Sequence, residues 1–225
     1  MPAWVFHPTD QIAPMPQVKE GHYHKMRYLT LERWISYYFQ IKETMRMEAA
    51  TLLEIGVGNG IVASVLRSFG VQVTTCDFDV AVHPDIVADV RKIPVQDGAF
   101  DAVMACQILE HLPWEEVPAA LSELARVTKR YAIISLPCRS TGWSWMMKLP
   151  GMQTLFRRTY AYGHLQWPIR FPGFAESGQH YWEIDTWQVS VRDVKRLMAG
   201  YFEIKRVFRP PMNAYHVFFV LEKRS

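Results

Sequence analysis

Long apolar runs are missing from this chain: no stretch of about 18 consecutive apolar residues exists, so nothing reads as a membrane-spanning helix. The first residues, MPAWVFHPTDQIAPMPQ, lack a basic segment followed by an apolar block, so a secretory leader is not expected. Cysteine is scarce. Cys76, Cys106 and Cys138 form an odd set without CxxC spacing, which argues against a disulfide framework and against a zinc site. They read as small buried residues of a reducing, cytoplasmic setting. No HxxxH or HExxH pattern and no dense acidic cluster is present, so no metal is expected. Charge of one sign is also lacking, because a net +3 over 225 residues is too little to call for nucleic acid by itself. Internal repeats and low-complexity tracts are absent.

What is present is ordinary globular material. Hydrophobic residues at 49% and charged residues at 21% suit a single folded domain with a full core. Residues 1–20 are proline-rich and aperiodic, hence an extended arm. From Thr30, the spacing of Leu31, Trp34, Ile35, Tyr38, Ile41 and Met45 predicts an amphipathic helix to about Arg46. Apolar runs predict strands over 51–57, 71–79, 84–90, 100–106 and 131–138, with helices over 61–69, 114–129 and 190–200. Gly70 is placed as a helix C-cap, and Ser190 with Asp193 as a capping pair. FEIKRVFR and YHVFFVLEK, joined through Pro210 and Pro211, predict an antiparallel ribbon. The expected fold is α/β, Rossmann-like: a mostly parallel sheet with a C-terminal antiparallel ribbon and an aromatic cap insert.

LLEIGVGNG, residues 52–60, sets Gly56, Gly58 and Gly60 where the first strand runs into a helix. Ligands of such sheets bind beyond the carboxyl ends of the strands, at the switch point. A dinucleotide fingerprint would want a small residue at position 61, where this chain has Ile61. That disfavours a nicotinamide oxidoreductase. A phosphate-cradling P-loop would need a lysine after Gly60, and none follows. Glu54 two residues before the first glycine favours a cationic, phosphate-free ligand.

At these residues the chain resembles the class I S-adenosylmethionine-dependent methyltransferases of the type 11 group. VTTCDFD resembles that family's second strand, and ADVRKIPVQDGAFDAVMACQILEHLP its next segment. The resemblance implies S-adenosylmethionine as cofactor. It implies that Glu54, Gly56, Gly58 and Gly60 form the turn against its methionine and ribose, and that Asp77 grips both ribose hydroxyls. Asp89 stands beside the adenine amino group with the Val90 backbone at the ring, and Cys106 at the end of the fourth strand joins the set. Glu54 has a second reading, as a group holding the turn through backbone N–H groups, and Asp79 reads equally as a turn residue or cap. One departure is visible: only seven residues separate Asp77 from Asp85, where the family has a helix. The third strand is therefore expected to be short, or that edge of the sheet reduced.

Residues 139–179 form a 41-residue insert resembling the family's substrate-recognition caps. Five basic residues (Arg139, Lys148, Arg157, Arg158, Arg170) against Glu176 make it +4, leaving −1 for the rest. Its aromatics, Trp143, Trp145, Phe156, Tyr160, Tyr162, Trp167, Phe171 and Phe174, either pack the cap onto the sheet or present a surface. The acceptor is expected to be a small molecule or glycan; a lipid-linked acceptor with peripheral membrane contact is the alternative, and a nucleic acid is disfavoured. A non-catalytic S-adenosylmethionine-binding regulatory module is the reading outside enzymes. His111, in LEHLP, and His180, in GQHYWEI, are the candidate catalytic groups, with His164 inside the insert. His111 can also be read as a helix-start packing residue. His24, Arg27, Tyr28 and Arg33 are candidates for the cofactor carboxylate. The expected organisation is one methyltransferase domain over 1–225: arm and helix 1–47, cofactor core 51–138, cap 139–179, closing helix and ribbon 180–225.

Overall fold

The computed structural model describes residues 29–139, 142–157, 159–167 and 180–224. The expected arm at 1–20, with His24, Arg27, Tyr28, Arg158, Arg170, Phe171, Phe174 and Glu176, lies outside these. In chain order the elements are α1 (Leu31–Arg46), β1 (Thr51–Ile55), α2 (Ile61–Ser68), β2 (Gln72–Asp77), β3 (Ile86–Val87) and β4 (Phe100–Cys106). There follow α3 (Val117–Val127), β5 (Thr128–Pro137), β6 (Gly142–Met147), α4 (Met152–Phe156) and β7 (Ala161–Gln166). The chain closes with α5 (Val191–Met198), β8 (Phe202–Phe208) and β9 (His216–Lys223).

Seven strands form one sheet in the order β3-β2-β1-β4-β5-β9-β8. The first five are parallel, and β9 returns antiparallel between β5 and β8. Both faces are covered, which explains why the central strands are apolar without alternation. Leu52 joins one core with Val62, Leu66, Met104 and Phe218, while Leu53 points the other way to Val103, Leu121, Ile134 and Phe219. The helix α5 opens with the capping box expected of Ser190 and Asp193.

Two expectations are corrected. The strand over 84–90 shrinks to Ile86–Val87, because a tight 3₁₀ turn at Val80–Val82 is all that the short connection allows. The Asp85 carboxylate replaces missing ladder bonds, accepting from the Thr75 N–H and hydroxyl at 2.8 Å each and from Arg67 at 2.8 Å. Helix α1 forms where expected, but Leu31, Trp34, Tyr38 and Met45 of its apolar stripe face outward. The inward face carries Ser36, Gln40, Glu43 and Thr44 beside Tyr37. Polar seats explain this: Ser36 Oγ lies 3.0 Å from His216 Nδ1, Glu43 pairs with Arg206, and Asn213 donates to the Glu32 carbonyl at 2.8 Å.

The insert adds a second sheet. Strands β6 and β7 pair as an antiparallel hairpin from Gly142 opposite Gln166 to Met147 opposite Ala161, with α4 between them. Among the described residues most of its aromatics are exposed and do not pack it onto the main sheet: Trp143 is 74% exposed and Phe156 67%, while Tyr162 is half-buried. At its base the Gln166 amide donates to Asp185 and accepts from Arg209, 2.9 Å away.

Candidate active site

The register that aligns Ile55 with Cys76 and with Ala105 brings the carboxyl ends of β1, β2 and β4 level. A cavity of about 490 Å³ opens there, between the turns after β1, β2 and β4, with α1 and the start of β9 along one side. Its place beside the reversal of strand order is where an open α/β sheet binds ligands.

The glycine turn forms the floor. Gly56, Gly58 and Gly60 all have positive φ, at 84°, 57° and 69°. At Gly56 a side chain would be strained at this φ, and a Cβ would stand 2.0 Å from Ile108 Cδ1, so Ile108 would have to move. Asp77 ties this turn to β2. Its Oδ2 accepts the Val57 N–H at 2.9 Å and its Oδ1 the Asp79 N–H at 3.0 Å, so both oxygens are fixed in direction at the cavity wall. Burial pushes its carboxyl above the usual range, against the pull of those N–H groups. Asp79 caps the following turn through the Ala81 N–H at 2.9 Å while also lining the cavity.

Glu54 lies under the turn, 4% exposed, and its Oε2 has no hydrogen-bond partner among the described residues. Burial lifts its pKa to about 8, against opposing effects of Arg67 and the Ala63 N–H. An orphaned buried acid beside a cleft floored with glycine fits a ligand that brings a positive charge. Asp89 lines the far end with Val90. Arg91 grips the Asp89 carboxylate through its backbone N–H and Nε, both at 2.8 Å, and also pairs with Glu116. Burial alone would raise the pKa of Asp89; the arginine outweighs it and holds the carboxyl below its ordinary value. Cys106 lines the cavity with its thiol pushed up by burial to about 12, so it is a neutral wall and not a nucleophile. Gly60 sits at the α2 N-cap rather than on the wall.

His111 and His180 meet at the opposite side, ring centroids 5.0 Å apart and edge to face. A backbone hydrogen bond from Tyr181 N–H to the Glu110 carbonyl, 2.9 Å, joins their segments. His180 Nδ1 is 2.9 Å from Glu183 Oε1, which also accepts from the Tyr215 hydroxyl at 2.8 Å. His164 is elsewhere, on β7 and 2.8 Å from the Ser144 hydroxyl. Arg33, from α1, reaches the cavity wall.

Several wall residues escaped the sequence reading. Ser36, Tyr37 and Gln40 come from the polar side of α1, and Tyr215 and His216 from the start of β9. Gln107, at φ 60°, turns the chain sharply after β4. Glu183, three residues after His180, was legible only as spacing.

Residues 53–136 match a family model described as the methyltransferase domain. A malonyl-[acyl-carrier protein] O-methyltransferase of Serratia marcescens is 30% identical over 102 residues, 40% of this chain and 39% of that protein. A demethylmenaquinone methyltransferase of Beutenbergia cavernae is 32% identical over 88 residues, 35% of this chain and 36% of that protein. The chain thus matches less than half the length of these curated relatives. Among solved structures, N-methyltransferase NodS of Bradyrhizobium japonicum, in complex with S-adenosyl-L-homocysteine, superposes with a TM-score of 0.57. It is 9% identical, covering 88% of this chain and 90% of that one. The 1,6-didemethyltoxoflavin-N1-methyltransferase of Burkholderia thailandensis gives 0.56 at 15% identity, over 90% and 84% of the two chains. Sequence pattern and fold agree in one respect: residues 53–136 resemble the methyltransferase domain, and the mostly parallel, Rossmann-like sheet superposes on those of solved methyltransferases.

Proposed function

We propose that the protein is an S-adenosylmethionine-dependent methyltransferase acting on a small-molecule acceptor by in-line transfer. The observation that carries this reading is Asp77, both carboxylate oxygens aimed by backbone N–H groups at a cleft floored by the glycine turn. When bound, the cofactor supplies a methyl group on a sulfonium, already joined to a good leaving group. Asp77 holds the ribose hydroxyls, since a carboxylate accepts two hydrogen bonds at once. Asp89 and the Val90 backbone meet the adenine edge. The Gly56–Gly60 turn admits the methionine portion, and Glu54 beneath it stabilises the cationic end. His111 and His180 stand on the acceptor side and activate it, while positioning supplies much of the rate.

The chain reads as a single domain in which residues 51–138 hold the cofactor and the 139–179 insert meets the acceptor. Cys76, Cys106 and Cys138 are all free thiols, which supports a reducing, cytoplasmic setting. Among the described residues no helix is long and apolar enough to cross a membrane.

Calorimetric titration of S-adenosylmethionine and S-adenosylhomocysteine, with NADH alongside, tests the reading. Binding is expected for both adenosyl ligands and not for NADH. Asp77→Ala is expected to weaken it about 10- to 150-fold for each charged hydrogen bond lost, from ~1.5–3 kcal/mol apiece. Absence of binding to folded protein defeats the proposal. A second reading, a lipid-linked acceptor met at a membrane surface, is favoured by the exposed Trp143, Trp145, Leu155 and Phe156 of the hairpin, with Lys148 and Arg157 nearby. Co-flotation with phosphatidylglycerol vesicles, lost on Trp143→Ala with Trp145→Ala, distinguishes it from the soluble-acceptor reading.

A further inference from the structure

Behind the cavity wall formed by His111 and His180 lies a group that methyl transfer through these two histidines alone leaves without a partner. Glu110 is fully buried, and neither of its carboxylate oxygens has a hydrogen-bond partner among the described residues. Buried polar atoms are nearly always satisfied, and a buried carboxyl group left without any partner is costly. Something must be expected to meet it. The nearest chemistry is two imidazoles: one donor atom each from Glu110, His111 and His180 lie within 4.8 Å of one another.

Three features make this set a ligand sphere. The residue types are those of a two-histidine, one-carboxylate site, whose donors suit divalent transition metals and leave coordination positions open. The outer shell is present: Glu183 holds His180 Nδ1 at 2.9 Å, which leaves Nε2 as the ligating atom, and Tyr215 in turn holds Glu183. The framework is fixed as well. Glu110 and His111 share one 3₁₀ turn after β4, and the Tyr181 N–H to Glu110 carbonyl bond docks the His180 segment on it. Two of the three ligands, His111 and His180, also line the cavity, so an ion held here would face the acceptor.

We propose that Glu110, His111 and His180 bind one divalent transition-metal ion, with Glu183 orienting His180, and that the open positions of the ion receive an oxygen or nitrogen of the acceptor. The absence of HxxxH or HExxH spacing hides such a site from the sequence, because its ligands come from two segments brought together by the fold. With an ion in place neither histidine is a general base; the ion orients the acceptor. Ion binding stands on the three ligands alone. Its use in catalysis rests on the methyltransferase reading above.

The test uses the full chain without a histidine tag, stripped with EDTA and titrated with Co²⁺. One equivalent is expected, with visible d–d absorption that Zn²⁺ displaces. Glu110→Gln, which keeps the buried volume, and His180→Ala, which alters a half-buried residue, are each expected to abolish the absorption in protein with wild-type circular dichroism. A folded wild-type chain without Co²⁺ absorption overturns the proposal, and so does stoichiometric absorption that survives both substitutions. S-adenosylmethionine is titrated into the EDTA-stripped protein in parallel. Cofactor binding without metal binding sinks the ion site alone, and metal binding without cofactor binding sinks the methyltransferase reading alone.

Discussion

Glu54 is buried and His216 half-buried at the cavity, and their pKa values are shifted in opposite directions. The carboxyl of Glu54 is raised from 4.5 to about 8, so its protonated form favours the folded chain. That contribution is full below 4.5 and is lost as pH rises through about 8. Because a cationic ligand favours the ionised form, affinity for S-adenosylmethionine is expected to climb with pH and level off near 8, and Glu54→Gln to flatten the profile. Calorimetry between pH 6 and 9 reads this directly. The His216 imidazole is lowered from 6.5 to about 4 by burial first and then by Arg33 and His180. The folded chain therefore holds fewer protons than the unfolded one in that interval, and stability falls as pH drops from 6.5 toward 4. Denaturant melts across the interval should show a shallower fall for His216→Gln. The sequence placed Glu54 beside a cationic ligand, with a structural bond as the equal alternative, but the burial that shifts either group was not legible in it. A glutamate before a glycine turn signals a ligand or a structural bond equally, and a histidine opening an apolar strand gives no sign of the helix that will cover it.

The β1–α2 turn and the β4–3₁₀ turn lock together at the scale of elements. Gly56→Ala places a methyl group against Ile108 and forces an L side chain to φ 84°. Left-handed backbone costs ~1–2 kcal/mol and overpacking ~1–3 kcal/mol, so a clear drop in the melting midpoint is expected. Adding Ile108→Ala should recover the overpacking part only. The periodicities made β1, β4 and α5 readable because each is a short element whose two ends carry chemical signals: glycine, aspartate, or the Ser190–Asp193 box. The reading failed where a neighbour dictated the outcome. Residues 84–90 have strand composition, yet the connection after Asp77 is too short to deliver more than two of them to the sheet. The hairpin β6–β7 went unseen although Trp143 and Trp145 alternate with Gly142 and Ser144, because the strand is short and exposed throughout, so no buried face marks it.

For the molecule as a whole, the hairpin stands apart from the cavity, whose wall takes none of the described residues from Gly142 to Gln166. Gly142 and Gln166 are paired across the base of the hairpin, so a short glycine–serine linker can replace everything between them without moving β5 or α5. The shortened chain is expected to titrate S-adenosylmethionine as the full chain does and to lose transfer to its acceptor; a methylation assay beside calorimetry checks both halves. Helix α1 has a further consequence. Because its seat mixes Ser36, Gln40, Glu43 and Thr44 with Tyr37, Phe39 and Ile41, lifting it would wet groups that water satisfies as well as the apolar contact of Phe39 with Phe208 and Phe218. Its release therefore costs less than that of a helix seated on leucines, which would forfeit ~25 cal/mol for each Å² of apolar surface. Arg33, Ser36, Tyr37 and Gln40 are part of the cavity wall, so the same movement opens a way in. Amide protons of α1 should exchange well before those of β1 and β4, and saturating cofactor should slow them: the helix is a wettable door, shut by what it lets through.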